Sequence, residues 1–231
     1  MKPKQVLKIV IDVAMTVLLL LLMAYSLVGE AAHEWLGVAM FVLFVTHHIL
    51  NSGWCRSLFR GKYPPFRVFQ TALVLLVLIF MVGSMASGVV LSRYVLDLNV
   101  RGLSSLARSV HMLCAYWGFA AMSLHLGLHW NMMLSMAGKM AKRPSARRKW
   151  LLRALAALIA LYGAYAFYRR DFWNYMLLRY HFVFFDFEEP LALFLLDYVA
   201  VMGLFVCIGH YAAKGLRKLQ QSAGRSAKDK Q

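Results

Sequence analysis

Most of the eight histidines in this 231-residue chain lie in or at the ends of long apolar runs, where polar side chains are costly and are retained for a purpose. His33 and His47 fall on one run and His111 and His125 on another, and the members of each pair are 14 residues apart. On a helix, 14 residues advance about 21 Å and return to within about 40° of the same face. Each run therefore presents two imidazoles on one stripe, one toward each membrane surface. Neutral imidazole is a common metal ligand. Two imidazoles facing each other at one depth, twice over, form the donor set of two stacked six-coordinate haems. Gly37, one turn after His33, and Gly118, seven residues after His111 and about 20° from it, leave room on the stripe for a flat ring. Gly83 and Gly88 offer similar room on the next apolar run.

Four residues beyond the inner histidines stand Asn51 and His129. His129 is 18 residues from His111, about 27 Å along the same face. Its role stays open among inner ligand in place of His125, partner of a haem propionate, and part of a quinone site. His48 points about 100° from His47, a poorer direction for the same haem, and reads, like His210, as an ordinary interhelical hydrogen-bond partner. Arg93, Arg101 and Arg108, on the opposite side of the membrane, are candidates to pair with propionates or to contact lipid headgroups. Thr46, Ser84, Ser87 and Ser123 lie at depths from which they can fix imidazole tautomers.

The elements that must position these groups follow from composition. With 61% hydrophobic residues, 16% charged and five prolines, the chain is too apolar for a water-soluble domain of its length. Runs of the length needed to cross a bilayer occur six times: Val6 to Val28, Trp35 to Trp54, Val68 to Leu91, Val110 to Met133, Leu151 to Phe167 and Leu191 to Ala213. The expected fold is an all-α membrane protein of six transmembrane helices. Residues 1–142 would form a haem-binding four-helix bundle, and residues 143–231 a two-helix extension with a basic tail.

The formal net charge of +16 reads as a topology signal. Twenty of the 26 lysines and arginines fall in the N-terminus, the loops after the second and fourth runs, and the C-terminus, while eight of the ten acids fall on the alternate side. The positive-inside rule places both termini in the cytoplasm, and nucleic acid is not an expected partner. The first run is too long for a typical signal peptide and reads as a retained helix. Asp12 within it, one turn after Lys8, reads as half of a structural charge pair. Cys55, Cys114 and Cys207 form neither a C-x-x-C nor a C-x-x-C-H motif, which excludes covalent c-type haem attachment. The aromatic and acidic loop from Phe172 to Glu189 reads either as a docking surface or as an interfacial aromatic belt.

Two other chemistries compete. In a desaturase- or hydroxylase-like enzyme, His47, His48, His125, His129 and His210 would gather around non-haem iron at the cytoplasmic end. That arrangement leaves His33 and His111 without a role and has no inner carboxylate to complete the cluster. A non-redox scaffold or transporter leaves the matched spacing to chance and lacks the broken helix pairs of a substrate site.

From Lys4 to about Lys142 the chain resembles the flavinylation-associated cytochrome family, formerly a domain of unknown function. The resemblance rests on His33-Glu34-Trp35-Leu36-Gly37, His47-His48-Ile49-Leu50-Asn51, Leu91-Ser92-Arg93-Tyr94 and His125-Leu126-Gly127-Leu128-His129-Trp130. The run from Tyr180 to Pro190 is similar to the C-terminal part of longer members. The resemblance implies a b-type cytochrome of the bacterial cytoplasmic membrane with two non-covalent haem b groups. Such a protein is an electron-transfer subunit rather than a stand-alone enzyme, and it exchanges electrons with an extracytoplasmic flavin-binding redox protein. Carried over by position, His33, His47, His111 and His125 are its ligands, with His129 in the motif. The resemblance leaves the other redox partner open between a quinone and a cytoplasmic flavoenzyme.

Overall fold

Apolar residues repeat along α1 (Pro3–Met23) so that Ile11, Met15, Leu19 and Met23 fall on one buried stripe, the four-residue spacing of a helix face. That stripe packs on α3 (Glu30–Leu50), whose own buried residues are Met40 and Phe44. The opposite face of α1 carries Val6, Val10, Val13 and Val17, all exposed. An apolar outward face is what lipid, rather than water, accepts. The computed structural model describes residues 3–97, 102–140 and 145–228, with side chains of 136–140 and 223–228 left aside. Arg101 and the boundary expected at 142/143 fall outside the described residues.

The described chain is helical, with no strand: α1 and α3 are followed or separated by the short α2 (Tyr25–Val28) and α4 (Ser52–Ser57). Then come α5 (Pro65–Leu91), α6 (Ser104–Met140), α7 (Ala146–Arg169), α8 (Phe172–Met176) and α9 (Leu191–Lys228). Pro65 opens α5, where its missing N–H costs nothing and its fixed φ favours the helix. Ser145 caps α7 by accepting from the Arg148 backbone N–H.

Among the described residues, five helices are long and apolar enough to cross a membrane: Pro3–Met23, Glu30–Leu50, Pro65–Leu91, Ala146–Arg169 and Leu191–Ser222. The sixth expected span is a helix, α6, but it is not among those five. His111, His125 and His129, the residues that gave it chemical interest, also dilute its apolarity. The first expected run, Val6 to Val28, is broken at Ala24, and Gly29 adopts φ 90°, a left-handed conformation that glycine takes without a Cβ clash. This turn starts α3 at Glu30, ahead of His33. Asn51 ends α3, so the Trp35 to Trp54 run divides between α3 and α4.

The chain forms two compact units. The first comprises Met1–Gly61, Ile79–Trp117 and Trp173–Leu196; the second comprises Lys62–Leu78, Gly118–Phe172 and Asp197–Gln231. Within the second, close helix crossings rest on glycine. A Cβ on Gly163 of α7 would lie within contact of the Ala200 carbonyl of α9, and one on Gly127 of α6 would stand 2.4 Å from the Val206 oxygen and 3.0 Å from Gly209 Cα. Removing side chains at these points lets the backbones approach, as membrane helices require when no hydrophobic force drives them together. Phe119, Phe172 and Tyr198, all buried, pack ring against ring beside these crossings.

The same unit buries a carboxylate. Asp197 on α9 is 1% exposed and accepts from Tyr162 Oη at 2.6 Å, Arg170 Nε at 2.7 Å and the Arg169 guanidinium. A buried ion of this kind persists only when its oxygens are fully engaged. Through Asp197, the C-terminal end of α7 is tied to α9.

Candidate functional site

In the first unit, α3 and α6 bring His33 and His111 together edge-on, with ring centres 6.1 Å apart and planes inclined at 70°. A metal–imidazole bond is about 2 Å and an imidazole nitrogen lies about 1.2 Å from its ring centre, so rings ligating one metal from opposite sides have centres roughly 6 Å apart. The pair has that separation. His111 Nδ1 lies 3.0 Å from the Ser84 carbonyl and 3.2 Å from Ser87 Oγ, both on α5. A carbonyl only accepts, so Nδ1 carries the proton and Nε2 keeps its lone pair. His33 Nδ1 is buried with no hydrogen-bond partner among the described residues, an orphaned donor or acceptor of the kind that native structures rarely leave unexplained. Tyr25, which follows the break at Ala24, stands edge-on to His33 at 5.1 Å.

Glycines divide into two kinds here. A Cβ on Gly37 would meet nothing within 4 Å, so the stripe beside His33 is open. Gly83 and Gly88 are different from the expectation that they make room for a ring. A Cβ on Gly83 would stand 2.6 Å from Cys114 Sγ, and one on Gly88 would touch His111 itself at 3.5 Å. These two glycines bring α5 close enough to α6 for Ser84 and Ser87 to reach His111. Gly118, farther along α6, is buried.

Glu34, next to His33, has a role that its place in the His33-to-Gly37 stretch does not disclose. Its carboxylate accepts from Ser92 Oγ at 2.7 Å and from the backbone N–H groups of Arg93, Tyr94 and Val95 at 2.8–3.0 Å. One side chain thus organises the turn after α5 beside the end of α3 that carries His33. The Arg93 and Arg108 side chains are exposed, and both act electrostatically on Tyr25, so they lie on the His33 side of the unit.

At the other end of α3, His47 Nδ1 lies 2.7 Å from Asp12 Oδ1 of α1. A carboxylate accepts, so the imidazole donates from Nδ1 and Nε2 is again the free nitrogen. Lys8 Nζ donates to Asn51 Oδ1 at 2.8 Å, and the Asn51 amide donates to the His47 carbonyl at 2.9 Å. The Lys8–Asp12 pair expected from their one-turn spacing is therefore replaced by two cross-helix bonds. Residues four apart on α1 each bond to α3 instead.

His48 donates from Nδ1 to the Phe44 carbonyl of its own helix at 2.8 Å and lies tilted against the Phe44 ring, centres 4.3 Å apart. Thr46 and Ser123 likewise donate to their own helices, to Val42 and Phe119, and so do not fix an imidazole. His125 and His129 belong to the second unit, their ring centres 4.9 Å apart on α6. His47 belongs to the first. His210 Nδ1 on α9 is buried without a hydrogen-bond partner among the described residues. Among those residues no three or more histidines, cysteines or carboxylates gather into a set able to hold a metal ion. A polyhistidine iron cluster needs such a set, whereas a haem asks for two axial nitrogens.

Scans of protein-family models, curated proteins and solved structures find no match to this chain.

Proposed function

We propose that the chain is a di-haem b-type cytochrome of the bacterial cytoplasmic membrane, with α6 as its sixth span and both termini in the cytoplasm. It serves as an electron-transfer subunit between the cytoplasmic side and an extracytoplasmic, flavin-binding redox protein. The observation that carries this reading is the His33–His111 pair, 6.1 Å apart, with the His111 tautomer set by Ser84 and Ser87 and open space at Gly37. That donor set suits a haem, which when bound supplies a one-electron change at its iron.

His33 and His111 would hold the outer group, and His47 and His125 the inner one, by their equal spacing on α3 and α6. Ser84 and Ser87 hold the His111 proton at Nδ1 and point Nε2 toward the ligand position. Glu34 fixes the turn that carries Arg93, and Arg93 with Arg108 supplies positive charge for propionates on the outer side. By their sequence positions, His48, Asn51 and His129 would serve the inner group. Phe182, Phe184 and Phe187 stand exposed beside Asp186, Glu188 and Glu189, an apolar and acidic surface suited to docking the outer partner.

Purification in mild detergent, followed by oxidised and dithionite-reduced spectra and a pyridine haemochrome count, tests the proposal. Two non-covalent b haems per chain are expected. Colourless protein containing non-haem iron would instead establish the desaturase-like chemistry, and protein free of metal a scaffold or transporter.

A further inference from the structure

His111 on α6 and His47 on α3 have unlike partners. His111, opposite His33, donates to a neutral carbonyl and lies near a hydroxyl, whereas His47 donates to the carboxylate of Asp12 at 2.7 Å. Asp12 stands on an apolar helix, nine residues after its start at Pro3, where an ionised group is costly and marks function. Its natural counter-charge one turn away, Lys8, is engaged by Asn51 instead, and the carboxylate meets the imidazole.

We propose that Asp12 is a positioning residue for the inner ligand, holding the His47 proton on Nδ1 and making Nε2 a stronger donor than the equivalent nitrogen of His111. This rests on the reading of His47 as a haem ligand and adds to it an inequality between the two ends. A hydrogen bond to a carboxylate raises the basicity of a ligating imidazole more than one to a neutral oxygen does. A more basic ligand stabilises the oxidised metal, and the inner centre is therefore the one of lower potential. The protein builds this difference with its own residues: Asp12 of α1 at one end, Ser84 and Ser87 of α5 at the other.

The test is a spectroelectrochemical titration of the full chain in detergent. Wild-type protein should titrate in two one-electron components, and in His33→Ala the surviving component should be the lower one. Asp12→Asn keeps an accepting oxygen and removes the charge. It should shift the oxidised-to-reduced ratio of the lower component about tenfold toward reduced at fixed potential, about 59 mV for one electron, and leave the upper component in place. Asp12→Glu, which retains the charge, should largely restore the wild-type value. A purely structural Asp12 predicts unchanged potentials in Asp12→Asn, and that result overturns the inference while leaving the di-haem reading intact. If Asp12→Asn does not accumulate, the His33→Ala titration still decides, because survival of the higher component contradicts the proposed order. Wild-type protein without haem overturns the function and the inference together.

Discussion

Replacing His33 by alanine removes one of two imidazoles whose ring centres stand 6.1 Å apart and leaves the other, His111, held by Ser84 and Ser87. The outer site then retains one axial nitrogen of two. Changes to residues that merely support a metal ligand cost about 10–100-fold in affinity, and loss of the ligand itself should exceed that range. Haem content is expected to fall from two per chain to one, with the reduced α-band per chain falling by about half. The alanine leaves a space of imidazole size next to the open stripe at Gly37, so millimolar free imidazole should restore much of the lost band. His111→Ala should behave in the same way on content. The assay is the pyridine haemochrome ratio to protein, read with and without imidazole. If both single variants keep two haems with unchanged spectra, the pairing of His33 with His111 across one iron is wrong.

Other substitutions separate the supporting structure from the site. Glu34→Ala removes the acceptor of four hydrogen bonds. Charge-assisted bonds are worth about 1.5–3 kcal/mol each when well formed and less when partly exposed, so a loss of about 2–4 kcal/mol is expected locally. Amide exchange at Arg93, Tyr94 and Val95 should accelerate strongly; unchanged rates would show that the turn does not depend on this carboxylate. Gly127→Val places a Cβ 2.4 Å from the Val206 oxygen, against an ordinary C···O contact of about 3.3 Å. An overpacking cost of about 1–3 kcal/mol should shorten the half-life in detergent at elevated temperature. Gly37→Ala meets nothing within 4 Å and should leave haem-free stability unchanged while reducing haem content, a combination that a packing role for Gly37 cannot produce. Asp197→Asn leaves Arg169 and Arg170 without their shared counter-charge. Because Arg169 is 43% exposed and can be hydrated, the cost should fall below that of breaking a fully buried pair, about 3–5 kcal/mol. Thermal inactivation at a lower temperature is the expected outcome, and wild-type thermal behaviour would mean that the cluster is dispensable.

Periodicity made the helices legible because a membrane helix satisfies its own backbone and needs only an apolar surface. The runs around Val6, Trp35, Val68, Leu151 and Leu191 accordingly became α1, α3, α5, α7 and α9. The ends were less legible. Ala24 and Gly29 reshape the first turn, and nothing in the apolarity of Val6 to Val28 announces it. The histidine-bearing α6 shows the limit from the other side, since its chemical residues lower the very hydropathy that identifies a span.

At the candidate site, the 14-residue spacing already aligned His33 with His47 and His111 with His125 on their own helices, because helix geometry fixes phase and rise without reference to any neighbour. Sequence also marked Ser84 and Ser87 by depth. It could not say which oxygen of Ser84 is used, that Glu34 grips the turn after α5, or that Asp12 turns to His47 rather than Lys8. Those choices depend on which helix faces lie together and on the close approach that Gly83 and Gly88 allow. Hydrogen bonds select partners within about 3 Å, a scale set by side chains packed from distant parts of the chain. The sequence alone therefore determined a basic, helical, membrane-spanning chain with histidines in register, and tertiary packing decided which oxygen each imidazole meets.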